Sequence, residues 1–142
     1  MSGNENMIGF HVGNFSIEVG SASFLHAFFS TISYHLEPNG WGTSYPELMF
    51  ELYQGKLNAK DVSKVLDDLH RIREAFKSLK PDMVVWNIEN LEEKPPWGSN
   101  ISSDITDLSN YFVTNDGEDL FDVLNKCLNY LQQGKGQRLT IE

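Results

Sequence analysis

Two five-residue stretches near the N-terminus alternate with a period that only a strand can use. Ile8, Phe10 and Val12 are separated by Gly9 and His11, and Phe15, Ile17 and Val19 by Ser16 and Glu18. Between the two runs stand only Gly13 and Asn14, a pair suited to the positive φ angles of a two-residue hairpin turn. Such a turn places Val12 opposite Phe15, Phe10 opposite Ile17 and Ile8 opposite Val19, with all six on one face. An antiparallel ribbon with one apolar face cannot stand alone in water, so the rest of the chain must cover it.

The remaining elements follow from their periods and stops. Ser21 or Ser23 can cap a helix whose stripe is Leu25, Phe28, Phe29, Ile32 and Leu36, ended by Pro38-Asn39-Gly40-Trp41-Gly42. Ser44 and Glu47 have capping-box spacing ahead of a short helix with Leu48, Met49 and Leu52, closed by Gly55. A longer helix starts near Asn58 and carries Val62, Val65, Leu66, Leu69, Ile72, Phe76 and Leu79 as far as Pro81. The nearly continuous apolar run Met83–Ile88 predicts an interior strand, and Tyr111, Phe112 and Val113 make residues 110–114 β-prone. Residues 89–100 form a loop broken by Pro95, Pro96 and Gly98. Residues 101–108 have room for one helical turn capped by Ser103 or Asp104. Asn115 and Asp116 can cap a last helix built on Leu120, Phe121, Leu124, Cys127, Leu128 and Leu131, and Arg138–Glu142 reads as a terminal strand. The order β-β-α-α-α-β-β-α-β predicts an α+β fold. It is a single domain over residues 1–142, with a mainly antiparallel or mixed sheet of about five strands and helices packed on one face.

Charge is distributed unevenly. The chain of 142 residues has a net charge of −9. Residues 1–80 carry nine acids and seven bases, whereas residues 81–122 carry ten acids and the single base Lys94, so the middle segment equals the whole excess. Nucleic acid is disfavoured as a direct ligand, because phosphate binding needs clustered Lys and Arg. A basic protein partner is favoured, since a surface of one sign steers an oppositely charged one toward it. The competing use of such acids is solubility and helix capping.

Signs of chemistry are few. No phosphate loop, His-Glu-x-x-His, cysteine pair or Gly-x-Ser-x-Gly elbow is present. His26 and His35 stand nine residues apart on one helix, 2.5 turns by helical geometry, and so cannot share a metal ion. His11, on the polar side of the hairpin, reads as a surface residue. No cofactor is implied. Asp104 and Asp107 beside Ser102 and Ser103 would share a helical face, which suits acid–base work or cation binding; capping a short helix is the simpler use. Trp97 between Pro-Pro and Gly either anchors its loop on the core or projects as a binding hot spot. Cys127 cannot pair within the chain and sits among leucines as a buried, inert thiol. No stretch has the length of a membrane span, and the polar N-terminus Met1–Asn6 lacks a signal-peptide pattern, so a cytoplasmic location is expected.

Several runs taken together resemble a known family. These are Ser23-Phe24-Leu25-His26, Phe29-Ser30-Thr31-Ile32-Ser33-Tyr34-His35-Leu36, Asn39-Gly40-Trp41-Gly42, Pro95-Pro96-Trp97-Gly98 and the stretch Asn100–Thr114. In this order they look like the immunity protein 70 family of bacterial polymorphic toxin systems. The resemblance implies a protein that binds and neutralises the C-terminal toxic domain of a cognate toxin, with no catalytic residues and no membrane. If that domain is a basic nuclease, the acidic segment would contact it through Glu92, Glu93, Asp104, Asp107, Asp116 and Asp119, with Trp97 as anchor. The alternatives are a small-molecule-binding or hydrolytic domain using Asp104 and Asp107, and a structural subunit with an apolar docking patch.

Overall fold

A computed structural model describes residues 7–142; Met1–Asn6, read above as a polar N-terminus, lie outside the described residues. Strands β1 (Met7–Val12) and β2 (Phe15–Ser21) form the expected hairpin. Val12 pairs with Phe15 and Phe10 with Ile17, but a bulge between Ile8 and Gly9 shifts the open end, so that Ile8 meets Gly20 instead of Val19. At the turn only Gly13 has a positive φ, 58°, as in a type II′ turn. A β-carbon there would also run into the backbone of Lys135.

The hairpin is half of a four-stranded antiparallel sheet of order β2-β1-β4-β3. The terminal strand β4 (Arg138–Ile141) lies beside β1, and the two-residue β3 (Leu57–Asn58), absent from the sequence reading, closes the far edge. Register aligns Phe15, Val12, Leu139 and Leu57 in one row across all four strands. Val12, Leu139 and Leu57 are fully buried.

Three helices cover the sheet. In α1 (Ala22–Leu36) the Ser21 hydroxyl accepts the Phe24 N–H at 3.1 Å, so Ser21 is the cap. This helix packs on β2, while α3 (Leu120–Gln132) packs on β1 and β4, and α2 (Val62–Phe76) packs against α3. The Phe28 ring sits between them, 5.4 Å from Phe29, 5.2 Å from Phe112 and 5.1 Å from Phe121 in edge-to-face contacts. Cys127 is buried, and burial pushes its thiol up to about 12, as expected for an inert core cysteine.

Four local expectations are corrected. Ser44 and Glu47 do not form a capping box: a π-helical segment, Glu47–Leu52, starts after Pro46 without a side-chain cap. The Ser44 and Tyr45 N–H groups turn instead to the Glu37 carboxylate, at 3.1 and 3.0 Å, and Gly42 N–H joins them at 2.9 Å. The buried Glu37 thereby folds the loop 38–45 around itself. Residues 83–88 are not a strand: Met83 ends a 3-10 turn, and side chains of α1 take up the Met83 carbonyl and the Val85 and Ile88 N–H groups. Residues 110–114 contribute a single bridge, Val113 to Asp119, since the Phe112 carbonyl accepts the Leu120 N–H at 2.9 Å and turns the chain directly into α3. The cap of α3 is Asp119, whose carboxylate accepts from Phe121 and Asp122, and not Asn115 or Asp116, which sit in that turn.

Candidate partner-binding face

Between Phe76 and Leu120 the chain has no helix beyond the single 3-10 turn Pro81–Met83, and no strand. Its first part, residues 83–88, is held by α1. Nine consecutive or near-consecutive residues of α1, Phe24, Leu25 and Ala27 to Ser33, are buried, so the helix is covered on the side away from the sheet as well. The cover is the 83–88 stretch. Thr31 Oγ1 accepts the Val85 N–H at 3.0 Å and lies 3.2 Å from the Val85 carbonyl, while Ser30 Oγ accepts the Ile88 N–H at 3.1 Å. His35 Nε2 donates to the Met83 carbonyl at 2.7 Å. These polar residues do for an irregular segment what a neighbouring strand does in a sheet.

His26 continues this seam. Its Nε2 lies 3.2 Å from Asn87 Oδ1, its Nδ1 lies 2.7 Å from the Tyr53 hydroxyl, and Asn87 Nδ2 donates to Glu93 at 3.1 Å. The amide oxygen of Asn87 accepts, so Nε2 carries the proton and the Tyr53 O–H points to Nδ1 in the neutral ring. Trp41 stacks on the same imidazole at 6.1 Å. The sequence pairs His26 only with His35, as metal ligands too far apart to share an ion. In the structure each is a tie for the segment above α1, and among the described residues no cluster of three metal-ligating side chains occurs. His11 is half-buried and bonded to Ser16 Oγ at 2.7 Å, so it is less exposed than its position in the pattern implied.

Beyond Asn87 the chain turns outward into the acidic loop. Trp97 is both tied and displayed: its indole N–H donates to the Tyr111 hydroxyl at 2.9 Å, its ring meets Trp86 edge-on at 5.3 Å, and 38% of it remains exposed. Glu92 and Glu93 are exposed on the same loop. Asp104 and Asp107 do not lie on a helix. Asn110 ties them into a loop: its Oδ1 accepts the Thr106 and Asp107 N–H groups, and its Nδ2 donates to the Asp104 carbonyl at 3.0 Å. Asp104 is exposed. Asp107 is bound by the Ser109 N–H at 2.8 Å and by the Ser109 and Thr106 hydroxyls. Partial burial works against its charge, but these hydrogen bonds prevail and hold the carboxyl below its ordinary value. Asp116 is exposed at the turn before α3. Asp119 is drawn away to Arg73 of α2, at 3.1 Å; burial pushes its carboxyl up despite Arg73 and the capped N–H groups. Of the six acids, then, Glu92, Glu93, Asp104 and Asp116 present charge to solvent, while Asp107 and Asp119 serve the fold.

Three grooves run along this side. The largest, about 780 Å³, is bordered by Lys80, Val84, Lys94, Pro95, Ile101 and Tyr111. A second, about 300 Å³, lies between Phe24, Trp97, Ile105 and Val113 and shares Ile101 and Tyr111 with the first. A third, about 230 Å³, is lined by His26, Tyr53, Trp86, Asn87 and Glu93. Neither Asp104 nor Asp107 lines any of the three. No helix among the described residues is long and apolar enough to cross a membrane.

No curated protein and no solved structure matches the chain. The family described as immunity protein 70 matches over residues 10–141, from the middle of β1 to the end of β4. The chain therefore belongs to the immunity protein 70 family, the immunity proteins of polymorphic toxin systems.

Proposed function

We propose that this protein acts in the cytoplasm of the producing cell by direct binding to the C-terminal toxic domain of its cognate toxin, through the face built from residues 89–122. The observation that carries this reading is the segregation of charge: ten acids against one base in residues 81–122, on irregular chain anchored to a buried helix. A toxic domain with a basic surface fits that face, and a nuclease, whose phosphate-binding groove is lined by Lys and Arg, is the target class it fits best. Glu92, Glu93, Asp104 and Asp116 supply the steering charge, Asp107 and Asp119 shape the loops that carry it, and Trp97 supplies the apolar anchor. Inhibition of this kind uses no cofactor and no catalytic residue.

The test is co-expression of the toxic domain with this protein, followed by stopped-flow association. Reversing Glu92, Glu93, Asp104 and Asp116 to Lys should slow association roughly ten-fold or more at low salt. The difference should shrink at 1 M salt, where screening extends only about 3 Å. An unchanged rate in a folded variant rejects the face.

A further inference from the structure

The largest groove has the wrong sign for its surroundings. Residues 81–122 hold one base, Lys94, and it lines this groove together with Lys80. Among the described residues neither ammonium lies within ion-pair distance of a carboxylate, although the chain has 20 acids to 11 bases. Asp82 also borders the groove, leaving a local excess of one positive charge. The rest of the lining is mainly apolar, with Val84, Pro95, Ile101 and the Tyr111 ring beside the hydroxyl residues Ser99 and Thr106.

The geometry points to this groove as the seat of an apolar side chain of the toxic domain that stands next to a carboxylate, the apolar group filling the space between Val84, Ile101 and Tyr111 and the carboxylate meeting Lys80 and Lys94. The inference rests on the immunity reading and adds to it. A protein occupant follows from continuity. The loop that carries Glu92, Glu93 and Trp97 also supplies Lys94 and Pro95 to the groove, and Ile101 with Tyr111 forms the wall between this groove and the one beside Trp97. A partner docked on the acidic loop therefore reaches the groove. Charge complementarity then selects the occupant: a uniformly basic surface is repelled by two unpaired ammoniums, whereas an acidic group beside an apolar knob is attracted. The acidic face draws in any basic protein; the cationic groove rejects those without the matching knob.

Two measurements on the full chain test this. The first uses 8-anilinonaphthalene-1-sulfonate, a small apolar anion, as a probe: it should bind saturably, lose binding in the double variant Lys80→Glu/Lys94→Glu, and be displaced by the toxic domain. The second compares affinities for the toxic domain, where the double variant should bind ten-fold or more weakly with an unchanged melting temperature. Equal or tighter binding by the double variant overturns the assignment, because a wholly basic partner would gain from the two reversals. Simultaneous binding of probe and toxic domain also overturns it and marks the groove as a small-anion site. Failure of the unaltered chain to bind the toxic domain removes the immunity reading and the groove assignment together, whereas either of the other two results removes the groove alone.

Discussion

In β1 and β2 the backbone groups are satisfied by one another, strand to strand, whereas between Met83 and Ile88 the Met83 carbonyl and the Val85 and Ile88 N–H groups are met by side chains of α1. The hairpin partners lie a few residues apart, as with Val12 and Phe15. The partners of the segment lie 54 residues away for Thr31 and Val85, and 58 for Ser30 and Ile88. One region is ordered by its own pattern, the other by a helix that was laid down much earlier in the chain. The proposed partner-binding face belongs to the second kind. Its loops project from a strip of chain whose position depends on a few hydroxyl and imidazole groups, so substitutions of Ser30, Thr31 or His35 should alter the face without touching the sheet.

This contrast can be broken at its common point or sharpened on either side. Phe28→Ala should lower stability by about 3–5 kcal/mol and depress both regions together, since its ring packs between α1, Phe112 and Phe121; chemical denaturation gives the value. Gly13→Ala should act on the hairpin and the Lys135 turn packed against it, not on the 83–88 segment. The strained turn and the contact with Lys135 cost roughly 1–3 kcal/mol, read as faster amide exchange in β1 and β2 with the 84–88 amides unchanged. Thr31→Val is the mirror experiment. It leaves the buried Val85 N–H without an acceptor, costs roughly 1–3 kcal/mol, and should raise exchange at residues 84–88 while the hairpin stays protected. If Thr31→Val loosens the hairpin as much as the segment, the two regions are not independently held.

The smallest effect concerns acid. The Asp107 carboxyl is held below its ordinary value of 3.8, so its contribution to stability is present above that value and is lost as pH falls through the lowered one. Asp107→Asn should therefore narrow the difference in urea midpoint between pH 6 and pH 3, with the change confined to that acid window.

The same contrast explains what could be read from the sequence. The hairpin, α1, α2, α3 and the terminal strand each advertise themselves by period and stop signals, and all are found near their expected places. Met83–Ile88 misled because an apolar run specifies burial and not a partner; here the cover is a helix face, and Ser30 and Thr31, polar residues in the middle of an apolar helix, were the only local sign of it. The stretch 101–108 misled for a related reason: Asn110, just after it, supplies the hydrogen bonds that a helical turn would have made within itself. Charge segregation along the chain was fully legible. Which acids stay free was not, because the engagement of Asp119 with Arg73 depends on how α2 packs against α3. The His26–Tyr53–Asn87–Glu93 chain and the Lys80–Lys94 groove join residues too distant in sequence for any spacing rule to connect.

The central claim, that the toxic domain docks on the irregular face and not on the sheet, is tested most directly by amide hydrogen exchange of this protein alone and in complex with that domain. The account predicts new protection across residues 89–113, with β3 and the β2 edge unchanged. Protection of those sheet edges, with residues 89–113 exchanging as fast as in the free protein, would contradict it.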